Sequence, residues 1–454
     1  MAKLFLLALG SRGDVQPFAA LAMGLRDAGH EVVLATPSGF QGLVGGGNLA
    51  HVEVSPSLTP ADVMAACHST YDTPDFDLEA LTKQHPIRVR RQLMTGWMEL
   101  MDGVMAAITE AGAGADLVAW WEPTGNIGRH LAQSLGVPGV AAGLNPENWM
   151  SSTIPVPPPT LPWPPLWLPP SWQAEYIRFG HVVFWQWTAS WYRTRVNRWR
   201  TDVLGLPALP HRGWVAEQVA TPALRLSAVS PLVRDLPPEW RGTVVPTGYW
   251  ILPAVDEWTM PHALRTFLDD GPPPIFASMG TAVSFPPRLG KMVIEAARLS
   301  GVRLVLGTGW DGRGGIEADA LPPTVIAVGD VPHESVFPLM SGVVHHGGGG
   351  SVAAALRAGI PSMALPVIAG QTYWGRQIAA LGVGPDPHAA KNVTLDQLTV
   401  AMCQMVNDEP MNRRAAELGA QLHLEDGVAS GVAAIDGLLS NTPLRRPSAS
   451  KPHR

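Results

Sequence analysis

Short apolar runs alternate along the chain with stretches that read as helices. Residues 3–9 form the first run, the loop GSRGDVQP follows it, and PFAALAMGLRDAG is a helix-forming sequence that ends at Gly29. A second apolar run, EVVLATP, begins directly after His30. Apolar runs without polar alternation are typical of parallel strands that are buried on both faces. The pattern therefore predicts a strand–helix–strand unit of the kind found in nucleotide-binding sheets.

The alternation continues through the rest of the chain. LVAWWEP, VAAG and ALRLSAVSPLVRD predict further strands of a first sheet, with TGNIGRHLAQSLGVP as a helix between the first two and VVPTGYWILPAVDEW as a linker. PIFASMG, VRLVLGTG and TVIAVGDVP then repeat the strand pattern around the predicted helix PRLGKMVIEAARLSG. The chain is therefore predicted to be an α/β protein with two parallel sheets.

One stretch of the second half, Val343 to Gln371, has the order of an anion-binding site. An apolar strand leads to two histidines and four glycines, and SVAAALRAG then predicts a helix that ends at Gly359 and cannot continue through Pro361. The N–H groups at a helix start are unpaired, and glycines let a phosphate approach them closely. ALPVIAG is predicted to be the next parallel strand, with Gln371 just beyond its carboxyl end.

A second unusual stretch, residues 149–199, contains eight of the seventeen tryptophans. Its first part, IPVPPPTLPWPPLWLPPSW, is too rich in proline for a helix or a sheet interior and predicts an extended loop. The segment after it, up to LGLP, is predicted to be helical. The tryptophans fit three roles: a wall over the protein's own core, a lid on a large apolar substrate, or a contact with a membrane surface.

Composition narrows the possible classes of protein. The chain has 454 residues, a formal net charge of -6 and no basic stripe, which argues against a nucleic-acid partner. Cys67 and Cys403 are the only cysteines and lie far apart, so a disulfide scaffold is not expected. The first apolar run leads to GSRGD rather than to a signal-peptide cleavage site, and no run is long enough to span a bilayer. We therefore expect a cytoplasmic protein without a transmembrane segment.

The quoted motifs carry a family resemblance. HHGGGGS, followed by AGIP and by Pro-x-x-x-x-Gln, resembles the donor-binding signature of family 1 nucleotide-sugar glycosyltransferases, in the branch with bacterial natural-product and sterol enzymes. This resemblance implies two facing Rossmann-like domains, the GT-B fold. The expected parts are an acceptor-binding domain over residues 1–245, a donor-binding domain over 246–425, a helix over 426–440 that returns to the first domain, and a disordered tail over 441–454.

The resemblance also implies roles for individual residues. Asp14 matches the family's candidate general base, although an aspartate at a helix start also commonly caps free N–H groups. Val331 matches the contact with the nucleotide base, and His346 matches the histidine that meets the donor phosphate. The expected donor-binding residues are Ser11, Arg12, Gly13, Ser278, Gly280, Thr281, Val331, His346, Gly348, Gly349, Gly350, Ser351 and Gln371.

The acceptor is expected to contact the end of the LVAWWEP strand and the tryptophan-rich stretch. The candidate residues are Glu122, Trp121, Asn145, Trp149, Trp163 and Trp167. A metal site is not expected: the DxD of Asp75 and Asp77 lies in a predicted loop with no strand before it, and His345 and His346 would point to opposite faces of a strand.

Two departures from the family pattern bear on the donor. Ala354 stands where many relatives have an acidic residue that holds the ribose hydroxyls, and Gly370 stands where glucose-using relatives have an aspartate. A site without these acceptors tolerates a dTDP-linked deoxysugar such as rhamnose. The function expected is therefore an inverting, metal-independent hexosyltransferase for natural-product (antibiotic) biosynthesis. It would need no cofactor besides its nucleotide-sugar co-substrate and would act on a hydroxyl of a hydrophobic acceptor.

Two other functions stay open at this point. One is a glucosyltransferase that uses UDP-glucose on a sterol or a glycopeptide. The other is a protein without catalysis that binds hydrophobic small molecules or a partner enzyme through the tryptophan-rich stretch. The sequence is compatible with a monomer or a homodimer.

Overall fold

The structure is a computed structural model, and it describes residues 1–45, 49–55, 101–122, 125–145, 149–154, 164, 167–210, 222–252, 258–280, 287–308, 321–367 and 369–441. Several predicted features lie outside these residues: Trp163, Thr281, the Asp75–Asp77 motif and the tail beyond residue 441.

The first half of the chain forms a seven-stranded parallel sheet. Its spatial order is β3-β2-β1-β4-β5-β6-β7. The strands are β1 Lys3–Leu7, β2 Glu31–Pro37, β3 Ala50–Ser55, β4 Leu117–Trp121, β5 Gly139–Gly143, β6 Leu224–Ser227 and β7 Val245–Pro246. Because β7 pairs with β6, the predicted domain boundary at residue 245 falls inside the last strand of this sheet.

The second half forms a five-stranded parallel sheet. Its order is β10-β9-β8-β11-β12. The strands are β8 Ile275–Ser278, β9 Leu304–Gly307, β10 Val325–Val328, β11 Gly342–His345 and β12 Ser362–Ala364. Apolar side chains buried on both faces of this sheet build two cores, as the unbroken apolar runs predicted. The predicted fold class, with two Rossmann-like sheets, is therefore confirmed.

Helices cover the faces of both sheets. In the first half they are α1 Arg12–Asp27, α2 Gln41–Gly45, α3 Gly125–Leu135 and α4 Pro170–Asp202, and residues 101–111 are also helical. In the second half they are α5 His262–Asp269, α6 Pro287–Ser300, α7 His333–Val336, α8 Gly349–Arg357, α9 Ala369–Leu381, α10 Leu395–Asn407, α11 Glu409–Leu422 and α12 Gly427–Asn441.

Two predicted boundaries were wrong. The strand expected in ALPVIAG lies earlier, at β12, and residues from Ala369 onward already belong to α9. Gln371 is therefore a residue of the first helical turn rather than the end of a strand. The extended loop expected up to residue 172 ends earlier, because Pro170 and the residues after it form the start of α4. Proline suits a first helical turn, where its missing N–H is not needed.

Helix α12 crosses back to the first domain, as the family resemblance implied. It packs on α1, where a side chain at Gly24 would lie 2.5 Å from a methyl group of Val428. At the other end of the contact, the His30 imidazole lies 2.7 Å from the Asp436 carboxylate. Ile435 is fully buried in the core of the first sheet. The last described helix therefore packs against the core of the first sheet, although it follows the second sheet in the chain.

We expect Ile435→Ala to lower the free energy of unfolding by about 2–4 kcal/mol, because it removes buried methyl groups from a core that cannot fully collapse. Chemical denaturation followed by tryptophan fluorescence measures this loss. Leu424→Ala is the matched control, since Leu424 is 87% exposed. Equal losses in the two variants would mean that α12 does not belong to the core of the first domain.

Candidate active site

The carboxyl ends of the central strands carry the candidate residues in both sheets. The strand order reverses between β1 and β4 in the first sheet and between β8 and β11 in the second. Asp14 follows β1 and Glu122 follows β4, while Gly280 follows β8 and His346 follows β11. Ligands of open parallel sheets bind at such reversal points. The topology therefore brings the predicted groups of each domain to the edge where a ligand is expected.

Asp14 lies in the first turn of α1 and is partly buried. Its Oδ2 accepts hydrogen bonds from the Ser11 backbone N–H at 2.8 Å and from the Ser11 hydroxyl at 2.9 Å. Gly10 makes room for this carboxylate, because a side chain there would come within 2.5 Å of Oδ2. Burial raises the pKa of Asp14 to about 6, although both Ser11 contacts oppose the shift. The residue is therefore both a cap and a carboxylate whose proton affinity suits general base chemistry near neutral pH.

His346 lies between two glycines of the donor domain. A side chain at Gly348 would come within 2.4 Å of the His346 Nε2, and one at Gly280 would come within 2.6 Å of Cε1. Gly280 also has a φ of 85°, which favours glycine. Burial lowers the pKa of His346 to about 4, so the ring is neutral at physiological pH. The neutral ring can donate one hydrogen bond to a phosphate oxygen, but it adds no positive charge.

The neighbouring residues shape the glycine loop. The buried His345 accepts a hydrogen bond from the Gly347 N–H at its Nδ1, at 2.9 Å. This contact gives His345 a structural role in the loop. The Ser278 hydroxyl accepts from the Gly280 N–H at 3.1 Å. Helix α8 begins at Gly349, so its first N–H groups point into the space in front of the loop.

The two domains meet directly in front of this helix. A side chain at Gly350 would lie 3.7 Å from Gly13 Cα in the first turn of α1. The Arg12 guanidinium contacts the Asp330 carboxylate at 2.5 Å. Asn145 Oδ1 accepts a hydrogen bond from the Trp374 indole at 3.0 Å. The starts of α1 and α8 therefore face each other across the contact between the two domains.

Most of the predicted donor-binding residues lie at this junction. They are Ser11, Arg12, Gly13, Ser278, Gly280, His346, Gly348, Gly349, Gly350 and Ser351. Two others have side chains with a structural use. The Val331 side chain is buried in the core with Phe337, and Gln371 Oε1 accepts a hydrogen bond from the Val367 N–H at 2.8 Å. Any contact of Val331 with the nucleotide base would therefore involve the Val331 backbone.

Sequence reasoning missed three residues at this junction: Asp330, His333 and Trp374. Asp330 and His333 follow the carboxyl end of β10, a position that could have singled them out. His333 stacks on Phe337 with ring centroids 4.3 Å apart, and burial lowers its pKa to about 4. Trp374 carried no sequence signal of its own, because its contact with Asn145 joins residues 229 positions apart.

The predicted acceptor residues do not form one surface. Trp149 is buried and packs edge-to-face on Trp240, with centroids 5.4 Å apart. Trp167, by contrast, is 81% exposed. Asn145 is engaged at the domain junction, and Trp121 is partly buried. Among the described tryptophans of this stretch, Trp149 therefore builds the core, whereas Trp167 faces solvent.

Glu122 is buried beneath the end of β4. Only 3% of it is exposed, and one carboxylate oxygen accepts a hydrogen bond from the Trp120 indole at 3.2 Å. Burial raises its pKa to about 7, against the opposing effect of the positive charges of Arg129 and Arg225. This environment fits a structural ionisable group better than a residue that touches an acceptor.

Within the described residues no group of histidine, cysteine or acidic side chains could hold a metal ion. No described helix is long and apolar enough to cross a membrane.

Two stretches of the chain match known protein families. Residues 4–65 match the glycosyltransferase family 28 N-terminal domain, and residues 307–429 match the C-terminal domain of the erythromycin biosynthesis protein CIII-like family. The two matches cover the loop of Asp14 and the glycine loop. With these matches the chain is similar to family 1 glycosyltransferases, the family to which its sequence motifs point. The resemblance drawn from the sequence motifs is thereby confirmed.

Curated relatives match the chain over nearly its whole length. The chain is 30% identical to the sterol 3-beta-glucosyltransferase of Cryptococcus neoformans over 95% of its own length and 27% of the relative. It is 32% identical to that of Neosartorya fischeri over 94% of its length and 29% of the relative. It therefore spans under a third of these proteins.

Among solved structures, the glycosyltransferase of kitacinnamycin covers 96% of this chain and aligns over 99% of its own, with a TM-score of 0.67 at 19% identity. The glycosyltransferase VinC, solved in complex with dTDP, covers 97% of this chain and aligns over 100% of its own, with a TM-score of 0.64 at 17% identity. These structures show that the chain has the GT-B fold.

We expect Glu122→Gln to gain stability relative to the wild type as the pH rises from 4.5 to above 7. The folded protein keeps the Glu122 proton to a higher pH than the unfolded chain. Protonation therefore stabilises the fold below this window, and the contribution is lost as the pH rises through it. The relative gain is on the order of 3 kcal/mol.

Urea unfolding at about pH 5 and about pH 8.5 measures this difference. The exposed Glu110→Gln controls for the substitution itself. A difference between wild type and Glu122→Gln that stays constant with pH would show that the buried carboxyl group does not titrate as described.

Proposed function

We propose that this protein is an inverting glycosyltransferase that moves a hexose from a nucleoside diphosphate sugar to a hydroxyl of an apolar acceptor. The observation that carries the proposal is the carboxylate of Asp14, with its pKa raised to about 6, in the helix turn that faces the glycine loop of the donor domain. A base and a set of N–H groups at a helix start are parts that this reaction requires.

In the proposed reaction Asp14 takes the proton of the acceptor hydroxyl. The acceptor oxygen forms a bond to the anomeric carbon while the bond from that carbon to the diphosphate oxygen breaks. A single displacement of this kind inverts the anomeric configuration. The proton passes from Asp14 to solvent, and the nucleoside diphosphate leaves with the additional negative charge.

The leaving group meets several positive or polar groups. The N–H groups at the start of α8 lie along the positive end of its dipole, and Ser351 adds a hydroxyl in the same turn. Arg12 lies opposite, on α1. In this proposal the charge of the diphosphate is therefore balanced by the chain's own groups rather than by a metal ion.

Asp14→Asn is expected to lower kcat by about 10²–10⁴-fold with little change in nucleotide affinity, because the amide keeps the Ser11 contacts but cannot accept the proton. In the wild type kcat/KM should fall below about pH 6, and this acid limb should disappear in the variant. Steady-state kinetics across pH measures both effects.

Asp27→Asn is the matched control, because Asp27 is exposed at the opposite end of the same helix. If Asp14→Asn retained full turnover with an unchanged acid limb, a group other than Asp14 would be the base.

The donor proposed first is a dTDP-linked deoxysugar. Its support is the pair of residues at the two family positions: Ala354 offers no acceptor to ribose hydroxyls, and Gly370 offers none to sugar hydroxyls. The solved structure of the spinosyn rhamnosyltransferase SpnG was obtained with thymidine diphosphate, and it shares the fold at 19% identity and a TM-score of 0.60. A natural-product acceptor accompanies this donor.

The second candidate is transfer of glucose from UDP-glucose to a sterol. A specific observation favours it: relatives that match nearly the whole chain at 30% identity or more are sterol 3-beta-glucosyltransferases. A sterol is apolar and carries one hydroxyl, from which the same base would take the proton. The two candidates differ in nucleotide, in sugar and in acceptor.

Thermal unfolding with dTDP and with UDP separates these donors. A ligand that binds only the folded state at 100 times its Kd stabilises it by about 2.7 kcal/mol, so the preferred nucleotide should raise Tm at a lower concentration. We expect dTDP to do so, with dTMP as the control for the missing phosphate. A larger shift with UDP would support the glucosyltransferase candidate instead, and no shift with either nucleotide would contradict the proposed function.

A further inference from the structure

One ion pair joins the two domains at the place proposed for the donor diphosphate. Arg12 is the first residue of α1, and its guanidinium contacts the Asp330 carboxylate, 318 positions away, at 2.5 Å. Its Nε also donates to Gln16 Oε1 at 3.1 Å, so the side chain is held from both ends. The Arg12 side chain is 26% exposed and that of Asp330 is 42% exposed. Solvent can therefore reach the pair, and a ligand can compete for it.

The surroundings of this pair attract an anion. The positive ends of α1 and α8 face each other, with Gly13 close to Gly350. Burial lowers the pKa values of His333 and His346 to about 4, so neither ring adds a positive charge near neutral pH. Of the described residues at this pair, Arg12 is therefore the positively charged group that a diphosphate would meet, and Asp330 already contacts it.

We propose that Asp330 is a specificity-determining residue that competes with the donor diphosphate for Arg12, an inference that rests on the proposed function. A carboxylate and a phosphate present similar oxygens to the fork of a guanidinium group. In the free protein Asp330 stands in for the phosphate and holds the domains together. A nucleotide with a full diphosphate displaces it, whereas a weaker anion does not.

This competition has a consequence for the end of the catalytic cycle. Once the sugar has moved, the nucleoside diphosphate remains beside Arg12 with its additional charge. Return of Asp330 to Arg12 favours release of this product. Asp330, which does not touch the reacting atoms, would then influence both the affinity for the donor and the rate of product release.

A simpler role for Asp330 would be that of an interdomain staple, whose loss only loosens the protein. The two roles predict opposite effects on nucleotide binding. Loss of a competitor tightens binding, because Arg12 becomes available. Loss of a staple weakens binding or leaves it unchanged, because the site is less well ordered.

The test measures dTDP and UDP binding by calorimetry in the full chain and in Asp330→Asn. We expect the Kd of the preferred nucleotide to fall by roughly 5–10-fold, at the lower end of usual coupling factors. In an Arg12→Gln background the same substitution should change the Kd by less than about twofold, since there is no guanidinium to compete for. Glu295→Gln, which breaks an exposed ion pair on α6, is the matched control.

An unchanged or weaker affinity in Asp330→Asn, with Arg12 present, would overturn the competitor role. If the wild type and all variants bind neither nucleotide, the proposed function fails, and the competitor role fails with it. Amide hydrogen exchange without ligand adds a second readout. Faster exchange at Gly13 and Gly350 in Asp330→Asn is expected, and unchanged exchange would show that the pair does not hold the domains together.

Discussion

The seating of the His346 ring between Gly280 and Gly348 is the packing contact on which the candidate site depends. Neither position has room for a side chain. The contact joins the loops after the two central strands, β8 and β11, and thereby fixes the direction in which α8 begins. The helix start that it fixes lies next to the first turn of α1, where Gly350 faces Gly13. A bulkier residue at either glycine would move the loop, the helix start and the anion site together.

The alternation of apolar runs and helical stretches was enough to predict the fold, because each buried parallel strand is apolar on both faces. Gly359 and Pro361 likewise marked the end of α8 correctly. The strand predicted in ALPVIAG was wrong for a physical reason. Leu365 and Pro366 are buried as a strand residue would be, but they lie past the last residues of β12 that pair with β11. An apolar pattern reports burial and cannot distinguish a buried loop from a strand.

Local sequence predicted the site wherever one loop supplies several of its residues. The GSRGD loop and the glycine loop are of this kind. Each joins a strand to a helix, and these two elements determine where the side chains and N–H groups of the loop lie. The contacts of Arg12 with Asp330 and of Asn145 with Trp374 are of another kind, because each joins the two domains across hundreds of residues. Such pairs depend on how the domains meet, and nothing in the local pattern around Asp330 or Trp374 indicates a partner.

The charges at the domain junction also suit a site where the Asp330 carboxylate and a diphosphate replace each other beside Arg12. Burial keeps the three neighbouring histidines, His333, His345 and His346, neutral, with pKa values of about 3 to 4. The positive potential at the junction then comes from Arg12 and the starts of α1 and α8. Such a field attracts the diphosphate more strongly after sugar transfer than before, because the product carries an additional negative charge, so by itself it would retain the product. A resident carboxylate opposite the arginine removes that difficulty, since it offers the guanidinium another partner once the sugar has gone.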